Sequence, residues 1–246
     1  MDDSRRARLW VLVVLVAGAA LPLLGVLTDP TSRILGAPLS DAGKHVWGFW
    51  HTLAQVADGT WPGTRYLNAP FGGTHLDVMW LPALLMAPLT WIGGPILSAN
   101  AWLFLTLLAV GGATYALCLE LSASRSGSCA GAVMTQSCPY LLGYPLASGV
   151  YERAAIWVFP LVLLCLLRLR DGGSRKWILL GAGGLLVSAA GCQVYGVFTL
   201  VMLLLALPWL LGRRGVRARA LRLLPALAAL LGVLVLVFFL TRLAFL

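Results

Sequence analysis

Apolar runs about as long as a lipid bilayer is thick recur along this chain. A helix needs roughly 20 residues to cross the hydrocarbon, and only a fully hydrogen-bonded backbone survives there. Runs near that length stand at 9–28, 97–119, 128–147, 154–169, 177–191, 194–211 and 223–240. Of the 246 residues only 11% are charged, where a soluble domain carries roughly 25%. The chain is therefore expected to be all-α: one polytopic membrane domain over 1–246, a bundle of about seven transmembrane helices.

The basic residues orient the bundle. An eighth apolar stretch, 78–94, is short and contains Pro82 and Pro88. If it is re-entrant or interfacial and does not cross, thirteen of the 18 Lys and Arg residues fall on the side of the N-terminus, among them Arg5, Arg168, Lys176 and Arg213. Arg33, Lys44, Arg65, Arg153 and Arg242 fall on the other. Cytoplasmic loops are the basic ones, so the N-terminus is expected in the cytoplasm and segment 29–76 outside. A cleavable leader in place of the first span leaves the same segment outside. The net charge of +9 sits in short clusters between apolar runs, which speaks for topology and against a nucleic-acid partner. The five cysteines form no CxxC pair and read as small packing residues. The chain stops at "FFLTRLAFL", with no soluble tail, as a truncated protein or a fragment would.

The external segment holds the chemistry. Placed on a helix over about 41–58, Asp41, Lys44, His45, Gly48, His51, Thr52 and Gln55 share a sector of roughly 120°, opposite Val46, Phe49, Trp50, Leu53 and Val56. Pro38 and Ser40 mark its start and Gly59 its end. Such a helix is expected to lie on the membrane surface, its aromatics at headgroup level and its polar face to water. Asp41 and His45, at i and i+4, are neighbours on that face. A carboxylate beside an imidazole can take a proton from a hydroxyl or help hold a divalent metal ion. A merely solvated face with anchoring aromatics fits the same spacing, and Asp29 and Asp77 lie near interfaces as well.

Two stretches carry a resemblance. "GTWPGTRYLNAPFGG", after the amphipathic helix, and "SCPYLLGYPLASGVYERAAIWVFPLVLLCLLRL" further on are similar to segments of bacterial GT-C-fold membrane glycosyltransferases. The resemblance implies an enzyme of the bacterial inner membrane. It would move a sugar from a polyprenyl-phosphate carrier to a glycan, lipid or protein acceptor on the outer face. It also implies an acidic residue in the first external loop, acting as general base or metal ligand. By position that is Asp41, with Asp29 as runner-up. The chain lacks the adjacent acidic pair that many members carry there, and it has fewer spans.

A carrier phosphate would sit at the headgroup plane and call for cations; Lys44, Arg65 and Arg153 are the external ones, Arg153 beside Glu152 in "SGVYER". His45 and Asn68 are candidate substrate contacts, Asn68 otherwise a turn residue in "LNAPFGG". Asp41, His45 and Asp77 are the candidate metal ligands. Two other classes remain open. One is a non-catalytic membrane subunit, or truncated relative, that binds carrier lipid. The other is a transporter or lipid flippase, which needs polar residues within several spans. Gln136 and Ser137 are the main ones, and helix–helix hydrogen bonding is their default role.

Overall fold

A computed structural model of the chain describes residues 3–61, 63–64, 66, 73–74, 79–121, 124–171, 174, 176–211 and 232. The fold is all-α apart from a two-residue antiparallel pairing of Gly63–Thr64 with Gly73–Thr74. Helix α1 (Asp3–Ala20) runs through a 3-10 turn (Leu21–Leu23) into the short α2 (Leu24–Leu27). Then come α3 (Ala42–Ala57), α4 (Trp80–Glu120), α5 (Arg125–Gln136), α6 (Pro139–Leu141), α7 (Val158–Arg170), α8 (Lys176–Gly191) and α9 (Gln193–Leu211). The expected crossing at 223–240 lies outside the described residues, apart from Gly232.

Two described helices, Ser4–Leu27 and Trp80–Glu120, are long and apolar enough to cross a membrane. Little of either is buried inside the protein, and Leu9, Trp10, Leu12, Leu21 and Leu24 of the first stand exposed. That fits a lipid surrounding, since water would penalise so much uncovered apolar surface.

Helix α4 is the hub, packing against α1, α3, α5, α7 and α8. It joins the expected 78–94 and 97–119 segments into one element bent at Gly94. There φ is 83° and ψ 169°, a conformation open to glycine. Pro95 then starts the second limb, where a missing N–H costs nothing. A straight helix would hold Thr90 and Ser98 about 12 Å apart, yet their hydroxyls meet at 2.9 Å. The limbs therefore fold sharply towards each other. The first limb, 80–93, is only about 20 Å long at the helical rise. Its Pro82 neighbours Gly191 at the end of α8. The second limb is tied to the first loop by Asn100, whose amide donates to the carbonyls of Pro30 (2.9 Å) and Arg33 (2.7 Å).

The run expected as one helix over 128–147 is broken. Ser124 caps α5 by accepting from the Gly127 N–H at 3.0 Å, and the helix stops at Gln136. Pro139, unable to donate to the preceding turn, opens a new short helix that widens into a π turn over Leu142–Leu146. Gln136 itself is fully buried. Its amide donates to the carbonyls of Leu15 in α1 (3.1 Å) and Leu107 in α4 (3.0 Å). Gly18 and Gly111 leave the room: a Cβ on either would lie 2.1–2.4 Å from the Gln136 side chain.

Helix α3 has the expected boundaries and the opposite orientation. Its polar side is turned inward: His45, Gly48, His51, Thr52 and Gln55 are buried, with Phe49 beside them. Trp50 and Val56 of its apolar side are exposed. The expected water-facing polar face is corrected for these residues, while Asp41 and Lys44 at its start remain exposed. His45 and His51 find aromatic partners within the protein, in Tyr151 and in Trp47 and Tyr66, whereas Trp50 and Val56 are 47% and 45% exposed.

Candidate functional site

Two loops meet at the start of α3. The Ala37 N–H donates to the Ala147 carbonyl at 2.9 Å. Gly149, at φ 68°, lies so close to α3 that a Cβ would stand 2.6 Å from Ser40 Oγ and 2.7 Å from the Ala42 nitrogen. Only glycine meets both demands. The approach delivers a 3-10 turn, Tyr151–Ala154, to the buried side of α3.

Within that contact His45 Nε2 is 2.6 Å from Glu152 Oε2. Lys44 Nζ is 3.5 Å from Glu152 Oε1 and 3.2 Å from Asp41 Oδ2. The Tyr151 ring stacks on His45, with centroids 5.1 Å apart and planes 20° apart, while its hydroxyl donates to the Leu35 carbonyl. Behind the turn, Tyr195 Oη donates to the Arg153 carbonyl at 2.6 Å and meets Tyr140 Oη at 2.6 Å. Loop 29–41, α3, the turn, α6 and the start of α9 thus converge on one polar knot.

The electrostatics divide the carboxylates. Burial works to raise the Glu152 carboxyl, but contact with His45 and the charges of His45 and Lys44 outweigh it and hold it down at about 2. Glu152 is thus an anion that anchors its neighbours. Asp41 keeps 54% of its side chain exposed and is the carboxylate of the knot that an incoming group can reach. His45 is 1% exposed, and its Nδ1 has no hydrogen-bond partner among the described residues. Burial pushes the Tyr151 hydroxyl up, so it stays a donor. Further along α3, His51 stacks on Trp47 at 4.5 Å and meets the Tyr66 edge at 5.4 Å; burial lowers its pKa and favours the neutral ring.

The structure brings Asp41, Lys44, His45 and Glu152 together. The carboxylate against the His45 imidazole is Glu152, and Asp41 pairs with Lys44. Arg153 is next in the turn, with its Nε buried and without a partner among the described residues. Asp29 stands apart, accepting from Thr31 at 3.3 Å. Arg65, Asn68 and Asp77 lie outside the described residues. Among the described residues no group of three His, Cys, Asp or Glu side chains is placed to hold a metal ion. Sequence reasoning passed over Tyr151 and Gly149, which build the knot, and Asn100, which ties the first loop to α4; a lone Tyr, Gly or Asn carries no distinguishing spacing. No known protein family matches the chain, and no curated protein or solved structure shows significant similarity to it.

Proposed function

We propose that the protein is a membrane glycosyltransferase that takes a sugar from a polyprenyl-phosphate carrier and passes it to an acceptor on the outer face of the membrane. One observation carries the reading. Asp41, Lys44 and His45 at the start of α3 are brought together with Glu152 of a distant turn in a helical protein that is only 11% charged. A lipid-linked sugar presents its phosphate at the membrane surface, so carboxylate and cations are needed there together. In this reading Asp41 takes the proton of the acceptor hydroxyl as that oxygen attacks the anomeric carbon. The bond from that carbon to the phosphate oxygen breaks, and polyprenyl phosphate leaves. Lys44 and Arg153 face the charge developing on the leaving phosphate, and Glu152 holds Lys44 and His45 in place. Seven crossings, a cytoplasmic N-terminus and the bacterial inner membrane belong to the same proposal. The contacts of Pro82 with Gly191 and of Asn100 with Pro30 and Arg33 support keeping both limbs of α4 starting on the loop side.

The test is transfer of labelled sugar from polyprenyl phosphate in membranes containing the chain, with Asp41→Asn as the variant. Product formation lost while the protein still inserts supports the reading; unchanged transfer by Asp41→Asn overturns the role of Asp41. A second reading, a non-catalytic subunit that binds carrier lipid, is favoured by one feature: Lys44 is already shared between Asp41 and Glu152. Carrier binding without transfer would select it. The transporter reading loses its main intramembrane polar group, because Gln136 is engaged by the Leu15 and Leu107 carbonyls.

A further inference from the structure

At the end of the molecule where α7 leads into α8, small residues open a gap. Helices α7 and α8 touch closely at Gly184, where a Cβ would lie 2.6 Å from Leu161 Cδ2. One turn towards the start of α8, Gly181 and Ala182 leave an open crevice on the protein surface. Its walls are apolar: Val162, Leu166 and Leu169 of α7, Trp177 and Ile178 of α8, and Leu203 of α9.

The mouth is cationic. Arg168 Cζ and Lys176 Nζ each stand 5.5 Å from the centroid of the Trp177 ring. Nearby Glu120 and Asp171 are engaged by Arg168 and Arg170. Lys176 has no carboxylate in ion-pair range among the described residues, and the Arg168 side chain remains 48% exposed. Arg168 already has Glu120 as its counter-ion, so among the described residues Lys176 is the cation of this cluster left without one, and an anion beside Trp177 would supply it. An apolar slot between helices, a tryptophan at its lip and surplus positive charge together match one kind of guest: an acyl chain joined to a phosphate.

We propose that this crevice is a binding site for an anionic phospholipid, one acyl chain lying between α7, α8 and α9 and the phosphate held by Arg168 and Lys176. The site lies apart from the His45–Glu152 knot, and its occupancy does not depend on any transfer activity.

The experiment is native mass spectrometry of the full chain, purified in detergent and titrated with dioleoyl phosphatidylglycerol or dioleoyl phosphatidylcholine. The expected result is retention of phosphatidylglycerol at a concentration at least about tenfold lower than phosphatidylcholine. Lys176→Gln, which disturbs no described ion pair, should weaken the glycerol lipid roughly fivefold, and Arg168→Gln with Lys176→Gln roughly thirtyfold, at about a factor of five per surface cation. Ala182→Leu, which fills the slot, should weaken both lipids. Equal retention of the two lipids overturns the proposal, as does a Lys176→Gln protein that binds phosphatidylglycerol like the parent. So does failure of the parent to retain phosphatidylglycerol, the outcome expected if the chain's own 223–240 stretch occupies the slot.

Discussion

His45 Nε2 and Glu152 Oε2 stand 2.6 Å apart, joining a helix near the start of the chain to a turn far along it. The imidazole is 1% exposed, so water screens the pair little. Breaking such a contact leaves a buried polar group without compensation, and that penalty exceeds the net gain of forming it.

Glu152→Gln keeps the shape and removes the charge. It should cost about 2 kcal/mol in unfolding free energy in detergent, the scale of a charge-assisted contact partly out of water. Asp41→Asn changes an exposed ion pair and should cost no more than about 0.5 kcal/mol. Denaturant titration of both variants checks the order. In the proposed enzyme the ranking for catalysis differs: Asp41→Asn removes transfer in a protein of almost full stability.

The Glu152 carboxyl falls from an ordinary 4.5 to about 2 on folding, which sets the sign of a pH effect. Between those values the unfolded chain binds more protons than the folded one, so stability rises with pH across the window. The contribution, up to roughly 3 kcal/mol, is fully present above the unfolded value and is lost as pH falls through the folded one. Unfolding midpoints of parent and Glu152→Gln should differ most near neutral pH and converge at the acid end of that window.

Gln136 fills the space that Gly18 and Gly111 leave. Gly111→Ala puts a Cβ 2.4 Å from Gln136 Nε2 and should destabilise by about 1–3 kcal/mol, the usual cost of overpacking. Made together with Gln136→Ala, the same change should cost much less, because the clash has gone. A double-mutant cycle of thermal unfolding measures that coupling.

Gly149→Ala combines a left-handed backbone with a contact under 3 Å to the backbone of α3. At least about 2 kcal/mol of stability should go. The turn must then back away from α3 and carry Glu152 from His45. The visible sign is that the acid dependence described for Glu152 shrinks, which the same unfolding series at several pH values would detect.

Pro38, Ser40 and Gly59 signalled the ends of α3 to within a residue or two, with Asp41 in place of Ser40 at the N-terminal cap. Its inward face was not legible, because periodicity separates two faces without saying which medium each meets. In water the apolar side turns in; beside lipid and a polar knot, the polar side does. Segments 78–94 and 97–119 read as separate in the sequence, yet a proline costs nothing at the first turn of a new limb, so α4 resumes after its bend. Pro139 broke a run that hydropathy alone made continuous. The partnership of Lys44 with Glu152 spans 108 positions, and no local spacing announces it. Gln136 was the easiest to read: a long amide in an apolar run has few uses besides tying helices together.

Helix α3 wears its polar groups on the inside, and part of what they meet is made much later in synthesis. When residues 42–57 leave the ribosome, Glu152 does not yet exist. Until the 148–154 turn arrives, Lys44 and His45 must be lodged against lipid headgroups, water or a chaperone. Maturation of the front of this protein is thus timed by its middle: synthesis that stalls between α4 and α7 should leave an α3 that proteases can still cut.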